Sequence, residues 1–400
     1  MDSKKSLAIK LIIIFGIVSL FGDIIYEGTR GVTGPYLKIL GANALIVGFI
    51  AGFGEFMGYL FRLFSGYFSD KTGAYWFFTF IGYSMIAFIP LLSIANMWQI
   101  AGFFIIMERI GKALRSPARD TIISHLTKRV GSGFAFGLHE LLDQIGGVIG
   151  PLIFTFTLLN REASVGDYKI TFAFMWIPFI FLIFALFFAY FFSGKIEKEE
   201  EKYVAKKGLP RIFLLYTIFT FITTFGFISF AISGYHFKAK NIFQDYQIPL
   251  MYAFAMAVDG IAAIFIGKTY DRMNKKGSGL RLLLVIPFLT LFSSILIFSN
   301  FKLLIVIGVI LWGIVMGAHE TIMRAGISDI TLANQRGTAY GIFNFSYGVA
   351  FFLGASLAGF LYEYSVNALI IVIVLIQIFA MIFFLAQIEK AKLQTYYLHR

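Results

Sequence analysis

The chain has 400 residues, of which 58% are hydrophobic and 14% are charged, and its formal net charge is +12. Soluble domains carry about 25% charged residues, so this composition excludes an ordinary water-soluble fold and indicates a protein embedded in a lipid bilayer. The chain contains no cysteine, which excludes disulfides, thiolate metal sites and cysteine nucleophiles. The five histidines are not spaced as metal ligands, so we expect neither a metal nor a cofactor.

The apolar stretches predict an all-α membrane protein with twelve spans, because one span needs about 20 mostly apolar residues. The predicted spans are 8–38, 44–68, 74–95, 98–121, 132–159, 168–193, 211–237, 246–269, 280–299, 302–327, 335–362 and 366–388. The first is interpreted as a retained span rather than a signal peptide, since no cleavage pattern follows it.

The distribution of basic residues predicts the orientation in the membrane. With both termini in the cytoplasm, 24 of the 34 Lys and Arg residues lie on the inner side and six lie in outer loops. Cytoplasmic loops carry such an excess. We therefore interpret the positive charge as a topology signal in a multi-pass protein of the cell membrane, not as a nucleic-acid surface.

Spans one and two contain the first ionisable groups at membrane depth, where each costs about 2.5–3.5 kcal/mol and marks a transport pathway or an internal ion pair. Asp23, Glu27 and Arg30 share one face of span one, and they are interpreted either as a structural pair or as contacts for substrate or proton. Glu55 in span two is predicted to pair with a charge in span one or eleven.

Spans four and five carry the largest number of charges. Arg109 and Lys112 lie deep in span four, and cations of this kind would attract an anionic or carboxylate-bearing solute. In span five, His139 and Asp143 are one helical turn apart and Glu140 lies beside them. A histidine near a carboxylate can titrate near neutral pH, so this group is interpreted as a proton-handling candidate, with simple packing as the alternative.

The second half of the chain has fewer charges in its spans. Span ten contains His319, Glu320 and Arg324, and the last two are one turn apart and predicted to pair. We therefore expect ion coupling and much of the polar recognition in the first half.

The chain also shows an internal duplication. The motif Gly66-x-x-x-Asp70-Lys71 follows span two, and Gly267-x-x-x-Asp271-Arg272 follows span eight, 201 residues later. A charged segment lies midway between them. The predicted organisation is an N-terminal six-helix half (1–194), a cytoplasmic linker (195–210) and a C-terminal six-helix half with a short cytoplasmic tail (211–400).

The loop Gly66-x-x-x-Asp70-Lys71-x-Gly73 resembles the signature of the major facilitator superfamily, and Asp271 and Arg272 belong to a shortened second copy. This resemblance implies two parallel six-helix repeats with a substrate site near the bilayer midplane. It also implies that the loop is a conformational latch rather than a substrate site, because a carboxylate such as Asp70 can meet a helix N-terminus in one state only.

Span five carries glycines whose spacing resembles the antiporter signature of the drug:proton branch of that family. They are Gly137, Gly146 and Gly150, the last followed by Pro151. The resemblance implies proton-coupled export. The alternative is that these glycines only let helices pack closely.

The resulting prediction is a secondary active transporter, and not an enzyme, that moves a small-molecule substrate by alternating access as a monomer. Proton-coupled antiport is the leading interpretation, with a proton or another ion as the coupling partner. The alternative is an importer or uniporter of an anionic solute held by Arg30, Arg109 and Lys112. No HExxH, GxSxG or Walker-type motif supports a membrane enzyme.

Overall fold

A computed structural model describes residues 3–127, 132–159, 162–193, 208–275, 277–332 and 335–388, which form helices joined by short loops. The first half of the chain contains α1 (Ser3–Ile39), α2 (Ala44–Thr72), α3 (Tyr75–Ser84), α4 (Trp98–Thr127), α5 (Ser132–Thr157), α6 (Val165–Phe174) and α7 (Trp176–Ser193). The second half contains α8 (Arg211–Phe225), α9 (Phe230–Ala239), α10 (Gln247–Lys275), α11 (Val285–Ile297), α12 (Lys302–Ile330), α13 (Arg336–Tyr364) and α14 (Val366–Phe383).

Within the described ranges, ten helical segments are long and apolar enough to cross a membrane. They match ten of the predicted spans in chain position. Predicted spans four and five correspond to α4 and α5, helices of 30 and 26 residues that carry several ionisable groups. The total of twelve spans and the cytoplasmic termini stay predictions.

Several predicted spans differ from single regular helices with the expected bounds. Span three continues from α3 into two short 3₁₀ segments, Met85–Phe88 and Pro90–Ile94, the second beginning at a proline that cannot donate a backbone hydrogen bond. Span nine begins as a 3₁₀ segment, Gly279–Leu284, before α11. Span six starts earlier than predicted, because Ser164 and Asp167 form a capping box at the N-terminus of α6.

Span seven is interrupted between α8 and α9, at Gly226 to Ser229. Threonine hydroxyls along α8 bond back to carbonyls one turn earlier, which favours bending of a helix. The carbonyls freed by the interruption are bonded by side chains: Gln377 donates to Thr223 O at 3.0 Å and Trp312 Nε1 donates to Ile228 O at 2.8 Å. This accounts for non-helical backbone at membrane depth, where water cannot replace lost hydrogen bonds.

The chain forms two compact units. Unit 1 contains residues 1–43, 53–201 and 234–253, and unit 2 contains residues 44–52, 202–233 and 254–400. Each unit therefore includes chain from both predicted halves. The boundaries of those halves stay a prediction, and residues 194–207 of the linker region and 389–400 of the tail lie outside the described residues.

Unit 1 is organised around α1, which packs along α5 and α7, while α3 packs on α4. A Cβ added at Gly146 would lie 2.6 Å from Leu20 O, and one at Gly150 would overlap Ile24 O, so α1 and α5 are in backbone contact. Near the end of α1, Pro35 faces Gly234 of α9. Glycine allows this approach because it has no side chain.

Unit 2 is built from α11 packed on α12 and α14, with α8 packed on α13. The first turns of α2 also belong to this unit. There Gly48 contacts Ala355 so closely that a Cβ would overlap the carbonyl oxygen. The backbone N–H of Ala44 donates to Glu363 Oε1 at 2.6 Å, which places a carboxylate of α13 at the N-terminus of α2.

Candidate functional site

Glu55 is the centre of a charge network in unit 1. Its Oε1 lies 3.1 Å from Arg30 Nη2 and 3.2 Å from Arg109 Nη1, and Arg30 Nη1 lies 3.4 Å from Glu27 Oε1. One carboxylate therefore joins α1, α2 and α4. Two predicted pairings therefore occur here: Glu27 pairs with Arg30, and Glu55 pairs with a charge of span one.

A second pair lies beside this network. Glu108 Oε1 is 3.5 Å from Arg115 Nη2, and both side chains are buried. Arg115 also donates to Gly82 O of α3 at 3.3 Å. Arg109 Nε is 3.9 Å from Glu108 Oε2, so the two carboxylates are linked through one arginine.

The ring of Tyr26 is surrounded by cations. Lys112 Nζ lies 3.7 Å from its centroid, Arg109 Cζ lies 4.2 Å away and Arg30 Cζ lies 5.3 Å away. An aromatic face attracts cations through its quadrupole. Three cations of α1 and α4 therefore contact one ring, that of Tyr26. The sequence analysis did not predict this role for Tyr26.

Glu27 makes a second contact, with the start of α10. Tyr252 donates a 2.5 Å hydrogen bond from its hydroxyl to Glu27 Oε2, and both side chains are buried. The ring of Tyr252 also packs against Gly31. Sequence reasoning missed Tyr252, because a tyrosine in an apolar span carries no signal of its partner.

A separate polar group connects α5 with α1 and α4. His139 Nδ1 is 3.2 Å from Asp143 Oδ2, as their spacing predicted, and His139 Nε2 is 2.8 Å from Ser19 Oγ. Arg119 donates to the same Ser19 oxygen at 3.1 Å and pairs with Asp120 at 2.9 Å.

The remaining candidates of unit 1 lie around this group. Asp23 is held against α5, since a Cβ at Gly146 would lie 3.0 Å from the Asp23 Cβ. Glu140 is exposed and accepts a 3.4 Å hydrogen bond from Gln144. The structure therefore places Glu140 apart from the His139–Asp143 pair.

In unit 2, His319 lies in an aromatic cluster. Its Nδ1 is 2.9 Å from the Tyr347 hydroxyl and its ring is 5.0 Å from Phe227. Glu320 and Arg324 are exposed on α12, and their pairing stays a prediction. Within the described ranges, no three His, Asp or Glu side chains converge as a metal site requires.

The two signature loops end their helices in the same way. Gly73 after α2 has a φ of +70° and Gly277 after α10 has a φ of +73°, conformations that favour glycine. Asp70 and Lys71 lie on the exposed last turns of α2, as Asp271 and Arg272 do on α10.

The structure describes the contacts of two of the three motif glycines in span five. Gly146 and Gly150 contact α1 as described above, and Pro151 lies inside α5 with its carbonyl bonded by Thr155 at 3.0 Å. Gly137 lies near the start of α5, and its surroundings are outside the part of the structure that is described.

Comparison with known proteins places these features in one family. The family model of the Major Facilitator Superfamily matches residues 13–292 and 250–395. An uncharacterized protein of Mycobacterium tuberculosis is 33% identical over 387 residues, covering 94% of this chain and 92% of that protein. An uncharacterized MFS-type transporter of Methanocaldococcus jannaschii is 25% identical over 371 residues, covering 89% of each chain.

Solved structures share the fold at low sequence identity. A mutant of the nucleoside transporter NupG superposes with a TM-score of 0.73 at 12% identity, covering 94% of this chain and 99% of that one. A bacterial homologue of the human lysosomal transporter Spinster, inward-facing and unoccupied, gives a TM-score of 0.68 at 13% identity over 98% and 97% of the two chains. These neighbours are transporters rather than enzymes, and the chain is a multi-pass membrane protein that belongs to the Major Facilitator Superfamily.

Proposed function

We propose that this protein is a proton-coupled secondary transporter that exports a small solute across the cell membrane, with protons and solute moving in opposite directions. It works as a monomer with twelve spans in two six-helix halves and with both termini in the cytoplasm. Alternating access, the exposure of one site to each side in turn, moves the solute.

The observation that carries this proposal is the pair of contacts made by Glu27. Its carboxylate meets Arg30 at 3.4 Å and the Tyr252 hydroxyl at 2.5 Å within unit 1. Protonation would remove the negative charge that both partners contact. Because Tyr252 lies in predicted span eight, proton uptake would weaken a contact between the two predicted halves. Coupled transport needs such a link between proton occupancy and conformation.

His139 and Asp143 support a second proton-handling position. Both ring nitrogens of His139 have a partner, Asp143 on one side and Ser19 on the other. Neighbouring charged or titratable side chains on α4 and α3 are Arg119, which bonds Ser19, and Tyr83, whose hydroxyl is 3.5 Å from Ser19 Oγ. A histidine held in this way can exchange protons with a carboxylate during transport.

The glycine motif of α5 supports the resemblance to the drug:proton branch. Gly146 and Gly150 bring α5 into backbone contact with the part of α1 that carries Asp23 and Glu27. A shift of this segment of α1 on protonation would therefore displace α5 directly.

In the same proposal, Asp70 and Asp271 belong to conformational latches. Asp70→Asn is expected to slow interconversion between the conformations open to either side without changing which solutes bind.

The experiment is transport by the purified protein in proteoliposomes. Vesicles with an acidic lumen are incubated with a small-molecule extract, and accumulated solutes are identified by mass spectrometry with and without a protonophore. We expect protonophore-sensitive accumulation that is lost in Glu27→Gln and Asp143→Asn. Glu162→Gln, an exposed loop carboxylate, is the matched control. Unchanged proton-driven transport in Glu27→Gln, Glu140→Gln and Asp143→Asn together would refute the proposal.

The second candidate is an importer or uniporter of an anionic solute on the same fold. The cations gathered on Tyr26 favour it. Accumulation that follows the solute gradient and ignores the protonophore would support this candidate over antiport.

A further inference from the structure

Not every cationic side chain of the unit 1 network has a carboxylate as its ion-pair partner. Arg30 and Arg109 share Glu55, at 3.1 and 3.2 Å. Arg115 pairs with Glu108 at 3.5 Å. Each of these three guanidinium groups therefore has an ion-pair partner inside the protein.

Lys112 differs from the three arginines. Its ammonium lies 3.7 Å from the centre of the Tyr26 ring. In the part of the chain that the structure describes, no carboxylate oxygen lies within ion-pair distance of Lys112 Nζ and no acceptor forms a hydrogen bond with it. Besides the backbone bonds of the helix, Ser116 donates a hydrogen bond from its Oγ to the Lys112 backbone carbonyl, at 2.7 Å.

This arrangement is costly without a further partner. A lysine within a membrane span is costly to insert, and a cation–π contact offsets part of that cost. The residue as a whole is partly exposed. Asp23 and Glu27 attract Lys112 electrostatically from beyond ion-pair distance.

The chemistry of the missing partner follows from the charge. One ammonium without a carboxylate matches one negative charge, whereas a dianion would leave an excess charge at membrane depth. Arg109 lies on the same ring at 4.2 Å, so a planar anionic group could contact both cations. A carboxylate has that shape and charge.

We propose that Lys112 binds the carboxylate of the transported solute, and that the solute is a small organic monoanion. The inference rests on the proposed transport function and specifies the substrate class of the same site. Tyr26 holds the ammonium in place before the solute arrives, and the ion pairs on Glu55 and Glu108 keep the neighbouring arginines oriented.

The test is ligand-induced stabilisation of the purified protein in detergent, at constant ionic strength set by chloride. The probes are acetate and benzoate, with benzamide as the uncharged analogue of benzoate and with succinate and phosphate as multivalent anions. A ligand that binds the folded state raises its melting temperature. We expect a rise of about 2 °C or more with a monocarboxylate, and none with benzamide.

The variants locate the effect. The rise should persist in Lys112→Arg, which keeps the charge, and disappear in Lys112→Met. Lys268→Met removes an exposed lysine of α10 and should respond like the unmodified protein. If Lys112→Met does not fold, Lys112→Gln keeps a polar side chain of similar reach and should also lose the response.

Two results would overturn the inference. One is the absence of stabilisation by either monocarboxylate, or an equal effect of benzamide. The other is that Asp23 proves to be the partner of Lys112, shown by equal and non-additive losses of stability in Asp23→Asn, Lys112→Met and the double variant. Neither result depends on the proton gradient. The binding test can therefore fail while proton-driven transport persists, and it can succeed where that transport is absent.

Discussion

The backbone N–H of Ala44 and the side chain of Glu363 are joined by a 2.6 Å hydrogen bond, although 319 residues separate them in the chain. The first turn of a helix has N–H groups without partners and a positive dipole end. Glu363, in the last turn of α13, accepts a hydrogen bond from one of these N–H groups at the start of α2. This contact lies at the predicted outer end of unit 2.

We predict that Glu363→Ala lowers the stability of the protein by about 1 kcal/mol, the usual cost of removing a side-chain cap. Glu363→Gln should lose less, because its amide oxygen can still accept the hydrogen bond. The measurement is the melting temperature of each purified variant. Equal losses in both variants would show that the charge matters and the hydrogen bond does not.

A second prediction concerns the close contact between α2 and α13. Gly48→Ala would push a methyl group into the carbonyl of Ala355, so the helices must separate, at a cost of about 1–3 kcal/mol. Gly337→Ala, where no atom lies within 4 Å of the new Cβ, is the control and should be neutral or slightly stabilising. A neutral Gly48→Ala would mean that the contact does not limit stability.

A third prediction concerns Glu55. Glu55→Gln leaves Arg30 and Arg109 without their shared carboxylate, and losing a partly buried hydrogen-bonded charge of this kind costs about 1.5–3 kcal/mol. Adding Arg109→Gln should restore part of the stability, since it removes a cation whose remaining carboxylate contact, with Glu108, is long at 3.9 Å. If the double variant is less stable than Glu55→Gln alone, the network is held by packing rather than by charge.

A fourth prediction uses Tyr252 and Glu27 together. Tyr252→Phe removes the hydroxyl that donates to the Glu27 carboxylate, and a hydrogen bond to a charged group contributes about 1.5–3 kcal/mol. In a double-mutant cycle with Glu27→Gln, the two losses should not add. Additive losses would indicate that the two side chains act independently.

Contacts within one helix were predictable from the sequence. His139 with Asp143 and Glu27 with Arg30 are four and three residues apart, and the regular geometry of a helix brings such pairs together. The positions of ten spans followed from apolar length in the same way. These features depend on local geometry that every α-helix shares.

Contacts between helices were not predictable to the same degree. Glu55 was expected to find a partner in span one or eleven, but its second partner, Arg109 of α4, depends on how three helices are rotated against one another. The Tyr252–Glu27 bond spans 225 residues and had no sequence signal. The interruption of span seven was missed too, since no proline marks it and the side chains that stabilise it come from α12 and α14.

Two of the long helices, α2 and α10, are continuous over 29 residues each. A break within either helix would leave backbone hydrogen bonds unsatisfied at membrane depth, where water cannot replace them.

α2 and α10 therefore behave as unbroken rods about 43 Å long, at 1.5 Å per residue. Each rod has an interlocking contact near one tip, at Glu363 for α2 and at Glu27 for α10, and a signature loop at the other tip, at Gly73 and Gly277. Because each helix is continuous from that contact to its signature loop, a change in the tilt of the helix displaces both of its ends together.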